Sequence, residues 1–302
     1  MCWLVLSTHV LGGDAMFKRF QQTDWFTRVS VIWLFIVGFC AVFGRALPLW
    51  NPLESDFESL GVGLGSPNHF LGTDSNGYDL LSNVVIGAQT STLISVVSVG
   101  VGGLIGAALG VIAAYRRGRF DYVVNTVFNI FLSVPNLVLG LTLVAVLATS
   151  SDPSVPVSVN RRTFVIIVSL TVVIIPILGR IARGATLVWV NRDFVVAARS
   201  MGMRDKDIIM KHIVPNVLPA IYAVGFLAFG VVIVAEGALS LLGVGVIDGV
   251  SWGAMISRVA GDYEFAPHSL YVPAVVLAIT VVSCNQVGDY LRSRLDLREG
   301  KI

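Results

Sequence analysis

Six long stretches of this sequence hold no charged side chain: 29–44, 80–115, 122–151, 163–179, 213–235 and 269–288. A helix needs about 20 apolar residues to cross the hydrocarbon of a bilayer, and roughly 17 at the short end. Only 13% of the chain is charged and 55% is apolar, where a soluble domain carries about a quarter charged residues. Such a chain cannot clothe itself in a hydrated surface, so lipid is part of its solvent. In lipid each backbone N–H and C=O must find its partner inside the protein. The expected fold class is an all-α membrane protein with six transmembrane helices.

The first stretch is short, but Arg45 can snorkel to the interface, which sets the first span at 29–48. The stretch 80–115 is too long for one span and too short for two with a loop. Its first third, Leu80 to Gln89, reads as an outside helix leading into the membrane. Gly102, Gly106 and Gly110 lie four apart and clear one helix face of side chains, so a second helix can come close. Packing within this chain and contact with a partner subunit both fit that stripe. Pro135, just after Ser133, frees a backbone carbonyl inside the third span and predicts a bend. Pro176 falls near the inner end of the fourth.

Lysine and arginine set the orientation. Positions 46–89 have neither, against five acids: Glu54, Asp56, Glu58, Asp74 and Asp79. That segment belongs outside. A structureless loop of its length is unusual, so it is expected to fold onto the outer face. Thr73 or Asp74 can cap a turn, Gly77 permits a left-handed residue, and Asp79 stands near the start of the next helix. With both termini cytoplasmic, 17 of the 21 Lys and Arg residues fall inside, and Arg45, Arg161, Arg162 and Arg258 remain outside. The expected divisions are a cytoplasmic N-terminal segment (1–28), the first span (29–48), an extracytoplasmic segment (49–89), a five-helix core (90–290) and a cytoplasmic tail (291–302). Residues 1–15 lack the positive start of a secretory signal, so translation starts at Met1 or at Met16.

Between spans four and five, a cytoplasmic loop over 180–215 carries Arg180, Arg183, Arg192, Arg199, Arg204, Lys206 and Lys211. Phe194 to Met201 holds good helix formers. Gly202 can end that turn in the left-handed region. Asp205 or Asp207 can open a second short helix through His212, which Pro215 closes. Ala197 and Ala198 are small enough to let another surface approach the backbone. The result is a compact protrusion shaped for docking.

Much chemistry is missing. A phosphate-binding loop needs Gly-Lys-Ser/Thr, yet only Lys301 follows a glycine, and Ile302 comes next. An ion-coupled carrier shows acids or histidines deep in its spans. Here Glu236 is the main candidate, at the outer end of the fifth span, where it either holds an outer gate or sits at the interface. No HExxH, GxSxG or paired intramembrane carboxylate points to an enzyme. His9, His69, His212 and His268 are dispersed, mostly in loops. Cys2, Cys40 and Cys284 are far apart and support neither a metal site nor a disulfide framework. The basic residues form inner-face feet without interleaved aromatics, so nucleic acid is not indicated.

Four stretches, in order, resemble one family. Phe70 to Asp79 reads FLGTDSNGYD, like the LGTDxxGxD outer signature of the oligopeptide, dipeptide and nickel permeases of ATP-binding-cassette (ABC) importers. Phe194 to Pro219, with Ala197, Ala198, Gly202 and Ile213-Val214-Pro215, is similar to the loop by which such permeases engage their ATPase. Ala235 to Ser257 resembles the exit from span five and the outer segment with Ser-Trp-Gly, and Asn285 through Asp296 the closing Gly-Asp-x-Leu-Arg-x-x-Leu-Asp. The short leader before LGTD is most similar to the C-type subunit of the permease pair. Two departures stand out: Val196 replaces the family's acidic residue, and Gln286 replaces an apolar one.

The resemblance implies a type I ABC-importer permease fold in the bacterial cytoplasmic (inner) membrane. It implies a sister permease, two ATPase subunits that carry the ATP and magnesium, and an extracytoplasmic binding protein that delivers substrate. This chain is then expected to bind no cofactor or metal of its own and to catalyse nothing. By the same resemblance Ala197, Ala198, Arg199, Gly202, Asp205 and Pro215 belong to ATPase coupling. Gly72, Thr73, Asp74, Asp79, Glu236 and Trp252 become candidates for the outer segment or gate. The expected cargo is a dipeptide or oligopeptide, with nickel, glutathione, a haem-like ligand or another small solute as alternatives. A stand-alone ion-coupled carrier or channel is the reading from a different class.

Overall fold

A computed structural model describes residues 24–148, 158–246 and 249–299, with backbone only for 294–299. Met1 and Met16, residues 149–157, Ile247 and Asp248 of the third motif, and the last residues of the tail lie outside the described residues. Among the described residues all regular structure is helical: α1 (Trp25–Phe43), α2 (Leu80–Arg116), α3 (Gly118–Ser133), α4 (Asn136–Ala148), α5 (Val159–Trp189), α6 (Asp193–Ser200), α7 (Asp205–Ile208), α8 (Val214–Leu241), α9 (Trp252–Val259) and α10 (Pro267–Glu299). A 3-10 turn, Gly44–Ala46, extends α1, and a π turn, Ile209–Ile213, joins α7 to α8.

Five rods are long and apolar enough to cross a membrane: Trp25–Ala46, Leu80–Arg116, Val159–Trp189, Asp205–Leu241 and Pro267–Ser293. The expected third span is a bent pair, α3 and α4, meeting at 90°. Proline denies the residue before it the helical region. Val134 is accordingly extended, at φ −87° and ψ 132°, and the helix breaks there instead of bending gently.

Several helices outrun the membrane boundaries that charge suggests. At 1.5 Å per residue, the 37 residues of α2 make about 55 Å, against roughly 30 Å of hydrocarbon. Leu80 to Gln89 is therefore the continuous first part of α2, not a separate outside helix. Asp79 caps it, accepting from the Ser82 N–H at 2.7 Å. The loop expected from 180 likewise starts later, because α5 runs through Arg180 and Arg183 to Trp189. Arginine ends contact with lipid but favours the helix. Arg183 grips Asp121 of α3 with two bonds, 2.6 and 2.8 Å, and Arg180 donates to Asn129 at 2.6 Å. Pro215 does not close a helix either. It stands in the first turn of α8, directly after the π turn. The wider turn absorbs the missing N–H and the ring that would strike the preceding carbonyls.

The core is the seam between α2 and α5. A side chain at Gly106 would run into the backbone of Ile175 and Gly179, and one at Gly110 into Gly179 and Arg183. At Gly102 a Cβ would lie 2.9 Å from Ile174. The glycine stripe thus packs within this chain. Around the seam cluster Ile94, Ile166, Leu170, Ile174 and Leu178, with Val232 and Leu239 of α8 closing the third side. α10 packs on α8, and α1 on α10 and α2. Two polar contacts fix α1: Trp33 Nε1 donates to Thr280 at 2.9 Å, and Gln286 Nε2 to Thr27 at 3.0 Å. Gln286 therefore serves a helix contact. Val29, Ile32, Phe35, Phe39 and Val42 of α1 are exposed, the surface that lipid covers.

Gly106→Leu should force α2 from α5, costing at least the 1–3 kcal/mol typical of overpacking, and lower the melting temperature of the purified protein. Gly100→Ala, where a Cβ meets nothing within 4 Å, should leave it unchanged.

Candidate functional site

The most basic end of the molecule carries a compact element built from α6, α7 and the π turn. Its turn is fixed by a double C-cap. Gly202 has φ +78°, its N–H reaches Arg199 O at 3.0 Å, and Met203 N–H reaches Ala198 O at 3.1 Å. Glycine fits here because a left-handed residue costs an L-amino acid roughly 1–2 kcal/mol. The underside, with Val195, Ala198, Ile208 and Ile213, is buried against Val111, Tyr115 and Ala182.

Helical spacing separates the two alanines. Val195 and Ala198, three apart, share the inner face; Ala198 is only 3% exposed, whereas Ala197 is exposed. Ala198 therefore packs inward and does not offer its backbone to a visiting surface. Phe194, Val196, Met201 and Met210 of the element are exposed. Pro215 is exposed beside them.

Polar struts tie this element to the spans. The Tyr115 hydroxyl, at the end of α2, donates to Asp205 at 2.5 Å, and the Arg199 guanidinium lies 5.3 Å from the Tyr115 ring centre. Arg117 donates to Asn191 at 2.7 Å. Phe194 lies between the rings of Trp189 and His212, at 6.2 and 6.1 Å. Tyr115 had no motif to announce it, being one tyrosine at the end of an apolar run.

Toward the opposite end, Glu236 is fully buried within the protein. Ser251 donates to it at 2.7 Å, Ser240 at 3.1 Å and Ser91 at 3.4 Å. The Gly253 N–H also reaches it. The donors come from α2, α8 and the start of α9, whose N-terminal dipole favours an acid. An acid buried in a membrane helix is costly unless it is paired, and these donors offset that cost. Trp252, 1% exposed, anchors α9 by donating from Nε1 to Val84 O at 2.9 Å. Gly87 makes room for its ring.

The acidic segment 47–79 folds as a cap over this end. Thr73 is buried; its hydroxyl donates to Ser59 O and accepts from Val62 N–H at 3.0 Å. Asp74 caps the turn ahead of Gly77 (φ +80°), accepting from Asn76 and Tyr78 N–H at 2.9 Å each. Burial pushes its carboxyl above the usual range, against the pull of those N–H groups and of Arg258. A side chain at Gly72 would strike Val62 O. His268 donates to Thr73 O at 2.9 Å, and Ser75 to Asp262 at 3.1 Å, joining the cap to α10 and the loop before it. His69 was only a dispersed loop histidine in the sequence. In the structure it is 2% exposed and bridges Asp79 and Asp56.

Beside the cap opens a crevice of about 820 Å³, with Arg45, Gln89, Thr90, Asn160 and Thr163 among its walls. It shares Leu53, Val246 and Gly249 with a pocket of about 300 Å³ beside Arg258. Small-molecule sites span roughly 300–1,000 Å³.

Long apolar helical rods, a compact basic element at one end and a crevice beside the cap at the other are the features that a comparison with known proteins must account for. Residues 106–301 match the family described as binding-protein-dependent transport system inner membrane component, and the chain belongs to that family. The glutathione transport system permease protein GsiD of Escherichia coli is 32% identical over 281 residues, covering 92% of this chain and 88% of that protein. Its counterpart from Pectobacterium atrosepticum is 31% identical over 242 residues, covering 80% and 76%. Among solved structures, the fold matches an inward-facing MetNI methionine ABC transporter, with TM-score 0.59, 21% identity and coverage of 72% of this chain and 97% of that one. The chain is thus a multi-pass permease subunit of an ABC importer in the bacterial inner membrane.

Tyr115→Phe removes a hydrogen bond to a charged group, worth about 1.5–3 kcal/mol. In the reconstituted importer it should lower solute moved per ATP hydrolysed while basal hydrolysis persists; an unchanged ratio would show that the strut carries no load.

Proposed function

We propose that this chain is the C-type half of a heterodimeric importer for dipeptides or oligopeptides. It pairs with a sister permease and draws its work from two ATPase subunits that bind the element over residues 193–213. The chain binds no nucleotide or metal itself, both of its termini lie in the cytoplasm, and an extracytoplasmic binding protein hands solute to the capped end. The supporting observation is the construction of that element: an exposed apolar face whose underside is built into α2, α5 and α8. A partner gripping Phe194, Val196, Ala197 and Met201 would move the spans themselves. ATP binding at the partner would then shift the permease between inward-open and outward-open states. The peptide reading draws support from the likeness to glutathione permeases, glutathione being a small peptide, and from a crevice of matching size whose mostly apolar walls carry Arg45 and a few polar groups.

Ala197→Glu places a charge on the outward face without touching the core. It should abolish co-purification of the ATPase subunits and binding-protein-stimulated hydrolysis. Normal folding and full ATPase capture in that variant would refute docking there. Labelled tripeptide uptake, lost on deletion of the chain and restored by it, tests the cargo separately; intact peptide uptake in the deletion strain would refute the peptide reading.

A further inference from the structure

The cap over residues 47–79 contains no helix and little apolar core, so polar contacts must hold it. It has an imbalance of charge. No Lys or Arg occurs between Arg45 and Arg116, yet Asp74 and Asp79 are buried in the cap and Asp56 is partly so. Arg258 reaches in from α9, but it lies over the Tyr78 ring at 4.6 Å and 3.8 Å from Asp74. Among the described residues, His69 is the cationic side chain that contacts Asp79 and Asp56.

The geometry is that of a double donor. Nδ1 is 2.9 Å from Asp79 Oδ1, and Nε2 is 3.2 Å from Asp56 Oδ2. A neutral imidazole has one N–H and would turn a lone pair on one carboxylate. With both nitrogens protonated, both contacts are charge-assisted. Asp79 is also the cap of α2, its other oxygen taken by Ser82 N–H and hydroxyl at 2.7 and 2.6 Å. The backbone of Asp56 donates to Gly77 O at 3.0 Å. Trp50 lies 5.1 Å from the His69 ring centre and forms part of the crevice wall. A separate pocket of about 200 Å³ is bordered by His69, Asp56 and Asp79, and Glu54 is the other acid around it. His268 is engaged with Thr73 O and Asp262 with Ser75.

We propose that His69, as an imidazolium, is a positioning residue that staples the cap to the first turn of α2 and so sets the outer wall of the crevice. Burial opposes its charge, but Asp79 and Asp56 outweigh burial and raise the midpoint above the ordinary 6.5. Asp56 is held below the usual carboxylate range by Ser59, then His69, then the Glu58 N–H, so it stays charged to receive the proton. A histidine with a raised folded-state midpoint contributes its full stabilisation below about pH 6.5 and loses it as pH climbs through that midpoint. The cap is thus tight below about pH 6.5 and loosens as pH rises through the raised midpoint.

Hydrogen exchange of cap peptides, corrected for intrinsic rates, tests this on the purified importer complex in nanodiscs between pH 5.5 and about 9. The reporting amides are Leu80, bonded to Gly72 O, and Asp74, bonded to Tyr78 O. Protection should fall with a midpoint above 6.5, by about tenfold for each pH unit of that rise. Asp56→Asn, at a half-exposed site, should lower the midpoint, and His69→Gln should abolish the transition. A titration unchanged in His69→Gln, a midpoint at or below 6.5, or Asp56→Asn titrating like the wild type would each overturn the proposal. The readout is the cap itself, so failure of ATPase docking leaves the result intact.

Discussion

The contact on which the structure depends is the side-chain-free seam between α2 and α5. Lipid offers no hydrophobic reward for bringing two apolar helices together, so close van der Waals fit must hold them. Three glycines of α2 remove the only atoms that would keep the backbones apart, and Gly179 of α5 completes the fit, with Phe128 of α3 filling the space beside it. Everything else is referenced to that pair. α8 lies in the groove they leave, α10 covers α8, and α1 is fastened outside by two hydrogen bonds. Because α2 and α5 are longer than the bilayer is thick, the two helices also reach beyond it, toward the acidic cap at one end and the basic element at the other.

The two ends are built by different physics. At the basic end an amphipathic element buries Val195, Ala198, Ile208 and Ile213 and leaves a small apolar face outward. Its stiffness comes from packing and from the Tyr115–Asp205 bond. At the acidic end the chain has little to bury, and carboxylates organise it: Asp74 closes a turn, Asp79 caps a helix and Glu236 gathers α2, α8 and α9.

The sequence made the spans legible because lipid excludes charge, and the motifs fixed the family. Helix ends were less legible. Arg180 and Arg183 mark where lipid stops, not where α5 stops, since arginine is at home in a helix. Pro215 looked terminal because a π turn cannot be foreseen from residue types. Pro135 looked like a bend, but the steric demand on Val134 made it a right angle. Among site residues, the paired alanines looked equivalent until helical phase turned Ala198 inward. Glu236 was found, but its serines sit 4, 15 and 145 positions away, beyond any local pattern. His69 carried a signal that went unread: it is the single histidine among five acids with no lysine or arginine near them.

The serine cradle of Glu236 also bears on how the protein is made. Ser91 and Ser240 are in place when α8 is synthesised, but Ser251, the nearest donor, and Gly253 come later in the chain. A nascent α8 entering the bilayer alone would carry a carboxylate with half its partners unborn. α9 begins at Trp252, soon after α8 ends at Leu241, so the remaining donors follow α8 closely in the chain. Separating them, by a cut or a long spacer, would strand an acid in oil.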